Sequence, residues 1–250
     1  MSGRTVLQAL LLCALPLGML GCDRAPGYPK PGPEVVRPDE VVDFPTLYKQ
    51  NCSACHGADG KNGAAISLSN PVYLATAGEA NLLAVTAKGV KGTLMPPFAK
   101  SSGGMLTDQQ IESLVQGMLR TWSRPDQFAG QTLPSYASST PGDAERGQKA
   151  FVTFCARCHG ADGSGASITD GGKTEKNGSL VDPTYLALVS DQNLRSVIIA
   201  GRPDEGMPDW RSDISGAGSR PMNDQEITDT VAWLAGHRVK TAGQPYPQHP

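Results

Sequence analysis

Histidine and cysteine are both scarce in this chain. The 250 residues contain four histidines and six cysteines. One cysteine, Cys13, lies in an apolar N-terminal run, and another, Cys22, directly follows that run. The other four lie inside one short string that occurs twice. No cysteine therefore remains for a structural disulfide elsewhere in the chain.

An excess of positive charge is also missing. The chain has 22 lysines and arginines against 24 aspartates and glutamates, which gives a formal net charge of −2 at pH 7. Proteins that bind nucleic acid concentrate basic residues in a patch or a stripe. Neither a basic excess nor a basic stripe occurs in this sequence, so we expect no nucleic-acid partner.

The N-terminus lacks an apolar run long enough to make a good membrane span. A spanning helix needs about 20 apolar residues, whereas the run here extends only from Val6 to Leu20 and contains proline and glycine. This pattern predicts a secretory signal peptide over residues 1–21. The string MLGC resembles a bacterial lipobox, which implies that Cys22 is lipidated, and Asp23 after it implies retention on the periplasmic side of the inner membrane. Plain secretion with cleavage nearby is the alternative.

Segments rich in proline or small polar residues divide the rest of the chain. Residues 22–42 contain five prolines, a density that favours extended polyproline II and predicts a tether. Residues 123–142 are predicted to be a linker, and residues 241–250 a flexible tail. This leaves two predicted domains, over residues 43–122 and 143–240.

The doubled cysteine string belongs to a longer repeat. CSACHGADG at residues 52–60 is nearly identical to CARCHGADG at residues 155–163, and similar segments follow from Ser67 and Ser179. The second copy has nine extra residues between these two blocks. We expect most of the insert to lie in Asp170–Asn177, as a surface loop.

Neither copy shows sustained strand-like alternation of apolar residues. Thr107 with Gln110, and Asn223 with Glu226, have the spacing of a capping box, which predicts a helix start in each copy. Apolar residues at helical spacing follow both starts, and another helix is expected before each cysteine string. We therefore predict an all-α fold of two tandem domains.

The pattern C-x-x-C-H is the signature of covalent haem attachment. Two thiols at this spacing reach two vinyl groups on one porphyrin edge, and the next histidine then presents its imidazole to the iron. The residues assigned in this way are Cys52, Cys55 and His56 for one haem, and Cys155, Cys158 and His159 for a second.

Three other uses of a C-x-x-C pattern fit this chain less well. A thioredoxin-like redox pair needs a strand–helix context that the sequence does not show. Zinc ribbons place their cysteine pairs closer together than the 103 positions found here. A disulfide within one string would be strained and would have no use for the histidine.

Methionine is the predicted second axial ligand because spare histidines are too few. Beyond the two proximal histidines the chain has only His237, at the end of the last helix, and His249, in the tail. The first copy therefore has no second histidine. Met95 and Met207 each precede a proline at equivalent positions of the repeat, and we predict that they bind the two haem irons.

Three further methionines need to be compared with this pair as ligands. Met105 and Met222 are the alternative ligands, but neither has an equivalent in the other copy. Met118 lies on an apolar helix face, where packing in the core is the expected role.

On these motifs the chain resembles a tandem of two class I c-type cytochrome domains. Members of that family have a helix before C-x-x-C-H, a later Met-Pro loop, and a C-terminal helix that packs across the first. Gly147 and Phe151 match the family's helix-crossing positions, which implies a close crossing in the second copy. The first copy departs from this pattern, with Phe44 and Tyr48 at the equivalent positions.

The resemblance also implies the cofactors and how they are held. Each domain is expected to be a small helical bundle around one covalently bound c-type haem. In the family a proline carbonyl holds the proximal histidine, and Pro71 and Pro183 are the nearest matches here.

Two haems with His/Met ligation imply an electron carrier, since a soft thioether ligand favours ferrous iron and raises the reduction potential. We expect a membrane-tethered periplasmic protein that carries one electron per haem. The family's partners are a quinol-oxidising complex upstream and a terminal oxidase or photosynthetic reaction centre downstream, and no small-molecule substrate is expected. The alternative is a haem enzyme, either a two-haem peroxidase or a sulfur-compound dehydrogenase.

Charges differ around the two Met-Pro pairs. Lys88, Lys91 and Lys100 surround Met95 in the sequence. The charged residues around Met207 are Arg202, Asp204, Glu205, Asp209, Arg211 and Asp213. Our hypothesis is that the two haem-exposing faces differ in sign and dock different partners. The alternative is an ordinary solvated surface.

Overall fold

The computed structural model describes residue 32 and residues 35–170, 173–211 and 220–239. The predicted signal peptide, the lipidation of Cys22 and the tail at 241–250 lie outside these residues. The chain divides into two compact units, residues 1–40 and 41–250. Both copies of the repeat lie in the second unit. Among the described residues, no helix combines the length and the apolar character needed to cross a membrane.

The first copy is built from four α-helices. They are α1 (Phe44–Asn51), α2 (Ser53–His56), α3 (Pro71–Lys88) and α4 (Asp108–Trp122). Asp43 and Asn70 cap α1 and α3 by accepting backbone N–H groups of the first turn. The predicted capping box of Thr107 and Gln110 is confirmed at the start of α4.

The second copy repeats this order with more elements. Its helices and strands are α5 (Ala144–Phe154), α6 (Ala156–His159), β1 (Ser167–Asp170), β2 (Lys173–Lys176), α7 (Pro183–Leu188), α8 (Asp191–Ala200) and α9 (Asp224–Ala235). The capping box of Asn223 and Glu226 is confirmed at the start of α9. Short 3-10 turns lie at Pro38–Glu40, Lys100–Ser102, Pro125–Phe128 and Pro203–Glu205.

The all-α fold class is confirmed, with one local addition. Strands β1 and β2 form an antiparallel hairpin in which Ser167 pairs with Lys176. The hairpin includes most of the segment that we expected to be a surface loop, and three of its four residue pairs join the predicted insert to the residues before it.

One long helix of the first copy corresponds to two helices of the second. Within α3, Gly78 leaves the helical conformation, with φ of 67° and ψ of 164°. Its repeat equivalent is Ser190, which separates α7 from α8 and caps α8 by accepting the N–H of Asn193. Both copies therefore bend at the same repeat position, by glycine in one and by a cap in the other.

A glycine lies where the first and last helices of each copy cross, but on opposite helices. In the second copy it is Gly147 of α5, where a Cβ would lie 1.9 Å from the carbonyl oxygen of Asp229 and 2.9 Å from Cβ of Trp233 in α9. In the first copy Phe44 stands in that place, and the glycine is Gly117 of α4. A Cβ on Gly117 would lie 2.2 Å from Cγ of Phe44.

Gly117 and Trp233 are repeat equivalents, as are Phe44 and Gly147. In the first copy the large side chain lies on the first helix and the glycine on the last helix. In the second copy the glycine lies on the first helix and the large side chain on the last. The close contact inferred for the second copy from the family resemblance is present in both copies, and the first copy achieves it from the other helix.

One cluster of buried apolar side chains spans both copies, and a second cluster, around Phe151 and Trp233, lies within the second copy. The shared cluster includes Leu74 and Leu114 from the first copy and Ile199 and Ile227 from the second. Phe128, in the predicted linker, is buried in the same cluster. Helices α3 and α8, which are equivalent in the repeat, pack against each other. The two copies are thus held together by apolar packing, while our domain boundaries stay predictions.

Candidate functional site

Both cysteine strings open into one cavity. Its volume is about 1610 Å³, which exceeds the roughly 300–1,000 Å³ of a typical small-molecule site. The cavity is lined by all eight of the predicted haem-binding residues, which are Cys52, Cys55, His56, Met95, Cys155, Cys158, His159 and Met207. The fold therefore brings the two sets of predicted ligands to a single space that is large enough for more than one prosthetic group.

His56 is held in the orientation that an iron ligand needs. The residue ends α2 and is buried, and its Nδ1 lies 2.8 Å from the carbonyl oxygen of Ile66. Since a carbonyl only accepts, Nδ1 carries the proton and Nε2 keeps its lone pair for a metal. Burial lowers the pKa of His56 although the Ile66 bond opposes that shift, so the ring is neutral near pH 7.

The carbonyl that holds His56 is not the one we expected. The family resemblance favoured Pro71, but Pro71 is the first residue of α3, and Ile66 provides the contact. In the second copy Pro183 likewise begins α7. Nδ1 of His159 is buried and has no hydrogen-bond partner among the described residues. The proximal histidines are therefore supported differently in the two copies.

The four cysteines are free, and burial disfavours the thiolate form of the first cysteine in each string. Burial, with a smaller contribution from Cys55, raises the pKa of Cys52 to about 11. Burial, with a smaller contribution from Cys158, raises the pKa of Cys155 to about 12. Reactive redox cysteines have a lowered pKa, so these values oppose the thioredoxin-like alternative.

A zinc site also finds no support in the structure. Across the described ranges, no group of three or more His, Cys, Asp or Glu side chains is arranged to hold a metal ion. Paired thiols beside a neutral histidine, on the wall of a large and mostly apolar cavity, instead fit a haem attached through thioether bonds.

The loops that carry Met95 and Met207 are built alike. Each follows a glycine with positive φ, Gly89 at 65° and Gly201 at 66°, that ends the preceding helix. A Cβ at either glycine would lie within 2.7 Å of the carbonyl oxygen of the methionine in its own loop. A backbone hydrogen bond to each methionine carbonyl closes the loop, from the N–H of Val90 at 3.1 Å and of Arg202 at 2.8 Å.

This common construction places both methionines on the cavity wall, as the repeat predicted, and their bonding to iron stays a prediction. Among the alternatives, Met105 is 85% exposed and does not line the cavity. Met118 and Met222 are buried and do line it. His237 does not line the cavity, because its Nδ1 lies 2.9 Å from the carbonyl of Trp233 and its ring contacts that indole. His249 lies outside the described residues.

Sequence reasoning missed several other residues on the cavity wall. Tyr73 and Tyr185 occupy equivalent positions in the two copies, and both line the cavity together with Tyr136 and Arg202. The guanidinium of Arg202 donates to the carbonyl of Gly63 in the first copy at 3.3 Å. The repeated tyrosine was visible in the alignment of the copies, but nothing in the sequence indicated that the two tyrosines share one cavity.

Comparison with known proteins shows cytochrome domains in both copies. Residues 144–238 match the family model described as Cytochrome c, and residues 41–116 match the one described as Cytochrome C oxidase, cbb3-type, subunit III. Two such domains, each with its own C-x-x-C-H motif on a helical scaffold, define a haem-based electron carrier. The chain is a dihaem c-type cytochrome with two covalently bound haems.

Two curated relatives point to the same class. A cbb3-type cytochrome c oxidase subunit FixP from Sinorhizobium medicae (strain WSM419) is 28% identical over 129 residues, which are 48% of this chain and 39% of that protein. The subunit FixPc of Rhizobium leguminosarum bv. viciae is 29% identical over 129 residues, with the same coverage. The matched segment thus spans well under half of the length of either relative.

A solved structure is similar over most of the chain, though only weakly. It is the reducing HAO-like protein complex Kustc0457/Kustc0458 of Kuenenia stuttgartiensis. The match covers 83% of this chain and 99% of that one at 18% identity, with a TM-score of 0.40.

Proposed function

We propose that this cytochrome is tethered by lipid on the periplasmic side of the inner membrane and carries electrons from a quinol-oxidising complex to a terminal oxidase. A bound haem supplies the redox chemistry by alternating between ferric and ferrous iron, one electron at a time. The protein attaches each haem through two cysteines, presents a neutral histidine to the iron and surrounds the site with apolar side chains.

The observation that carries this proposal is the single cavity lined by both C-x-x-C-H motifs. A protein that acts on a substrate needs acid–base groups beside an open iron position. Among the described residues, the only histidines on this cavity wall are the two that follow the cysteines, and its carboxylates, Glu205 and Asp209, are paired with arginines. Two redox centres in one apolar enclosure suit electron transfer better than the turnover of a substrate. The choice of a terminal oxidase as the acceptor is supported by the names of the curated relatives.

Oxygen uptake by membranes from the source bacterium tests this function. We expect membranes depleted of the protein to regain oxygen consumption on adding the purified, reduced dihaem protein, because a missing electron donor has been restored. A Cys22→Ser variant should be recovered from the soluble periplasmic fraction instead of the membrane. The control is protein heated until its haem spectrum is lost.

A different result would favour the haem-enzyme alternative. That alternative predicts no recovery of oxygen uptake, together with turnover of hydrogen peroxide or a reduced sulfur compound by the purified protein. High-spin ferric haem in the absorption spectrum would accompany such activity, since one iron would then have an open coordination position.

The surface around Met95 is suited to an acidic partner. Lys88, Lys91 and Lys100 are exposed, and no ion pair to any of them is found in the described part of the chain. Leu94, beside Met95, is 81% exposed. This surface therefore combines an apolar centre with unpaired positive charge, which steers and then holds a negatively charged redox partner.

The charged side chains around Met207 instead form ion pairs and hydrogen bonds within the chain. Arg202 pairs with Glu205 at 2.5 Å, and Arg211 pairs with Asp209 at 2.7 Å. The carboxylate of Asp204 accepts the backbone N–H of Asn62 in the first copy at 3.0 Å. Asp213 lies outside the described residues. We accordingly propose the Met95 surface as the docking face and attribute much of the Met207 charge to internal contacts.

Neutralising the three lysines of the Met95 surface will slow association with the oxidase. For the combined variant Lys88→Gln, Lys91→Gln and Lys100→Gln, we expect the association rate constant at low ionic strength to fall about tenfold, with a flatter salt dependence. Stopped-flow oxidation of the reduced protein measures both. The matched control replaces exposed Lys61, Lys149 and Lys176 by glutamine. Equal rates for the two triple variants would contradict the proposed docking face.

A further inference from the structure

The last residue of α8 is hydrogen-bonded to the first copy. The side-chain amide of Asn70 donates to the carbonyl oxygen of Ala200 at 2.8 Å, and Asn70 is only 4% exposed. The Met207 loop begins directly after Ala200, at Gly201. A buried polar contact between the copies therefore fixes the point at which this loop leaves its helix.

Two side chains of the Met207 loop contact the first copy. The guanidinium of Arg202 donates to the carbonyl of Gly63 at 3.3 Å. The carboxylate of Asp204 accepts the backbone N–H of Asn62 at 3.0 Å. The backbones of Arg202 and Met207 also exchange two hydrogen bonds, at 2.8 Å and 3.0 Å. The loop is thus bonded to the first copy through the residue that closes it.

The loop that receives these contacts directly follows the first C-x-x-C-H motif. A Cβ on Gly63 would lie 2.3 Å from the carbonyl oxygen of Cys55 and 2.6 Å from the carbonyl carbon of His56, so the loop packs on the motif itself. Asn62 has a φ of 60° and is the only residue other than glycine with positive φ in the described part of the chain. Asparagine adopts this conformation more readily than most residues. The Met207 loop is therefore bonded to the backbone that carries the predicted attachment of the first haem.

The second copy makes the equivalent contact with its own insert. At the 103-residue offset of the two strings, Gly63 corresponds to Ala166. The carbonyl of Ala166 accepts the N–H of Asn177, in the predicted insert, at 3.0 Å. The first copy has no insert, and its equivalent carbonyl accepts from Arg202 instead. The Met207 loop thus takes the bonding position in the first copy that the insert takes in the second.

The Met95 loop lacks the groups for a reciprocal contact. Val90 stands at the position equivalent to Arg202. Gly92 stands at the position equivalent to Asp204, so the loop has neither a guanidinium nor a carboxylate at these places. Within the described ranges, no hydrogen bond joins this loop to the second copy. The support is therefore one-sided, because only the second copy has its methionine loop held by the other copy.

We propose that Arg202 and Asp204 are positioning residues through which the first copy stabilises the bond between Met207 and the iron of the second haem. An external ligand binds that iron only when Met207 has left it, so the apparent affinity of such a ligand measures how often the loop opens. Each contact with the first copy makes opening less favourable. The proposal needs Met207 to be the ligand, and it does not depend on the location, tether or partners of the protein.

Imidazole titration of the full, oxidised dihaem protein tests this role. Imidazole is a strong ligand for ferric haem, and the far-red absorption band of a Met-ligated haem is lost as imidazole replaces the methionine. We expect Asp204→Ala to tighten imidazole binding at one haem by about threefold to tenfold, which corresponds to the loss of one hydrogen bond. The affinity of the other haem should not change. Asp204 is exposed and does not line the cavity, so this substitution removes no contact with the haem.

Asp162→Ala is the matched control. Asp162 is exposed, and its carboxylate accepts the backbone N–H of Ser164 at 3.0 Å within the second copy. The substitution therefore removes the same kind of hydrogen bond without separating the copies, and both imidazole affinities should stay as they are. Arg202→Val installs the residue of the Met95 loop and should act on the same haem as Asp204→Ala, in the same direction.

Met207→His identifies the haem that responds. With histidine at this position the far-red band comes from the other haem alone. We expect Asp204→Ala to have no effect on the imidazole affinity measured from that remaining band. Denaturant unfolding of the haem-loaded protein is the second measurement, because a purely structural role would lower the unfolding midpoint while both imidazole affinities stay fixed.

The proposal is overturned if Asp204→Ala changes neither affinity, changes both, or still acts on the remaining band when Met207→His is present. An equal shift with Asp162→Ala also overturns it. If Met207→His keeps the whole far-red band, the ligand assignment and this proposal are both wrong. If Arg202→Val fails to fold, Asp204→Ala decides alone, since its side chain lies at the surface.

Discussion

Replacing Gly147 with alanine will destabilise the second haem domain by about 2 kcal/mol or more. The new Cβ would lie 1.9 Å from the backbone carbonyl oxygen of Asp229, so helices α5 and α9 must move apart. Overpacking of this kind costs about 3 kcal/mol at the upper end of the usual range. Alanine recovers only about 1 kcal/mol through its higher helix propensity. The clash therefore outweighs the gain.

Denaturant unfolding of the haem-loaded protein, followed at the haem absorption bands, measures this loss. Gln148→Ala is the matched control, because Gln148 is the next residue of the same helix and is exposed. The pair Gly147→Phe with Trp233→Gly copies the arrangement of the first domain and should recover part of what Gly147→Phe alone loses. Equal stability of Gly147→Ala and Gln148→Ala would show that the crossing is looser than the structure indicates.

Replacing Met207 with histidine will lower the midpoint potential of one haem by a large amount. A thioether favours ferrous iron, whereas an imidazole is a stronger donor to ferric iron. Axial ligands set haem potentials over a range of roughly 0.8 V, and we expect the change to take up a substantial part of that range. The far-red absorption band of Met-ligated ferric haem should lose about half of its intensity, because one haem of the two is altered.

Met222→Leu is the control for this experiment. Met222 also lines the cavity, and its repeat equivalent is Leu106, so leucine is a natural replacement at that place in the fold. We expect Met222→Leu to keep both potentials and the full band, and Met95→His to lower the other midpoint. If Met222→Leu removes half of the band while Met207→His keeps it, Met222 is the ligand and the assignment from the repeat is wrong.

The features that the sequence predicted well are local ones. A capping box needs two residues three positions apart, and a C-x-x-C-H motif needs five in a row, so both can be recognised without knowing what packs against them. The equivalence of Met95 and Met207 came from comparing two copies in one chain. The structure adds that each methionine loop closes on a glycine of the same conformation.

The features that escaped prediction depend on contacts between distant parts of the chain. Phe44 departs from the family pattern on the first helix, and the compensating Gly117 lies on another helix. The support of His56 by Ile66 depends on how the loop after α2 folds back. The position of the Ser135 backbone depends on Arg195, sixty positions later, whose guanidinium donates to the Ser135 carbonyl. None of these partners is implied by residue type or spacing.

The two helix crossings place their large side chain on opposite helices. This difference affects how a chain with two similar domains avoids pairing the helices of one domain with those of the other. Tandem domains are prone to misassembly in which an element of one copy pairs with the other copy. If α1 packed on α9, the ring of Phe44 would meet the indole of Trp233. If α5 packed on α4, Gly147 would face Gly117 across a gap. Each first helix therefore has one suitable partner, and the crossing that holds each domain together also keeps its neighbour from replacing it.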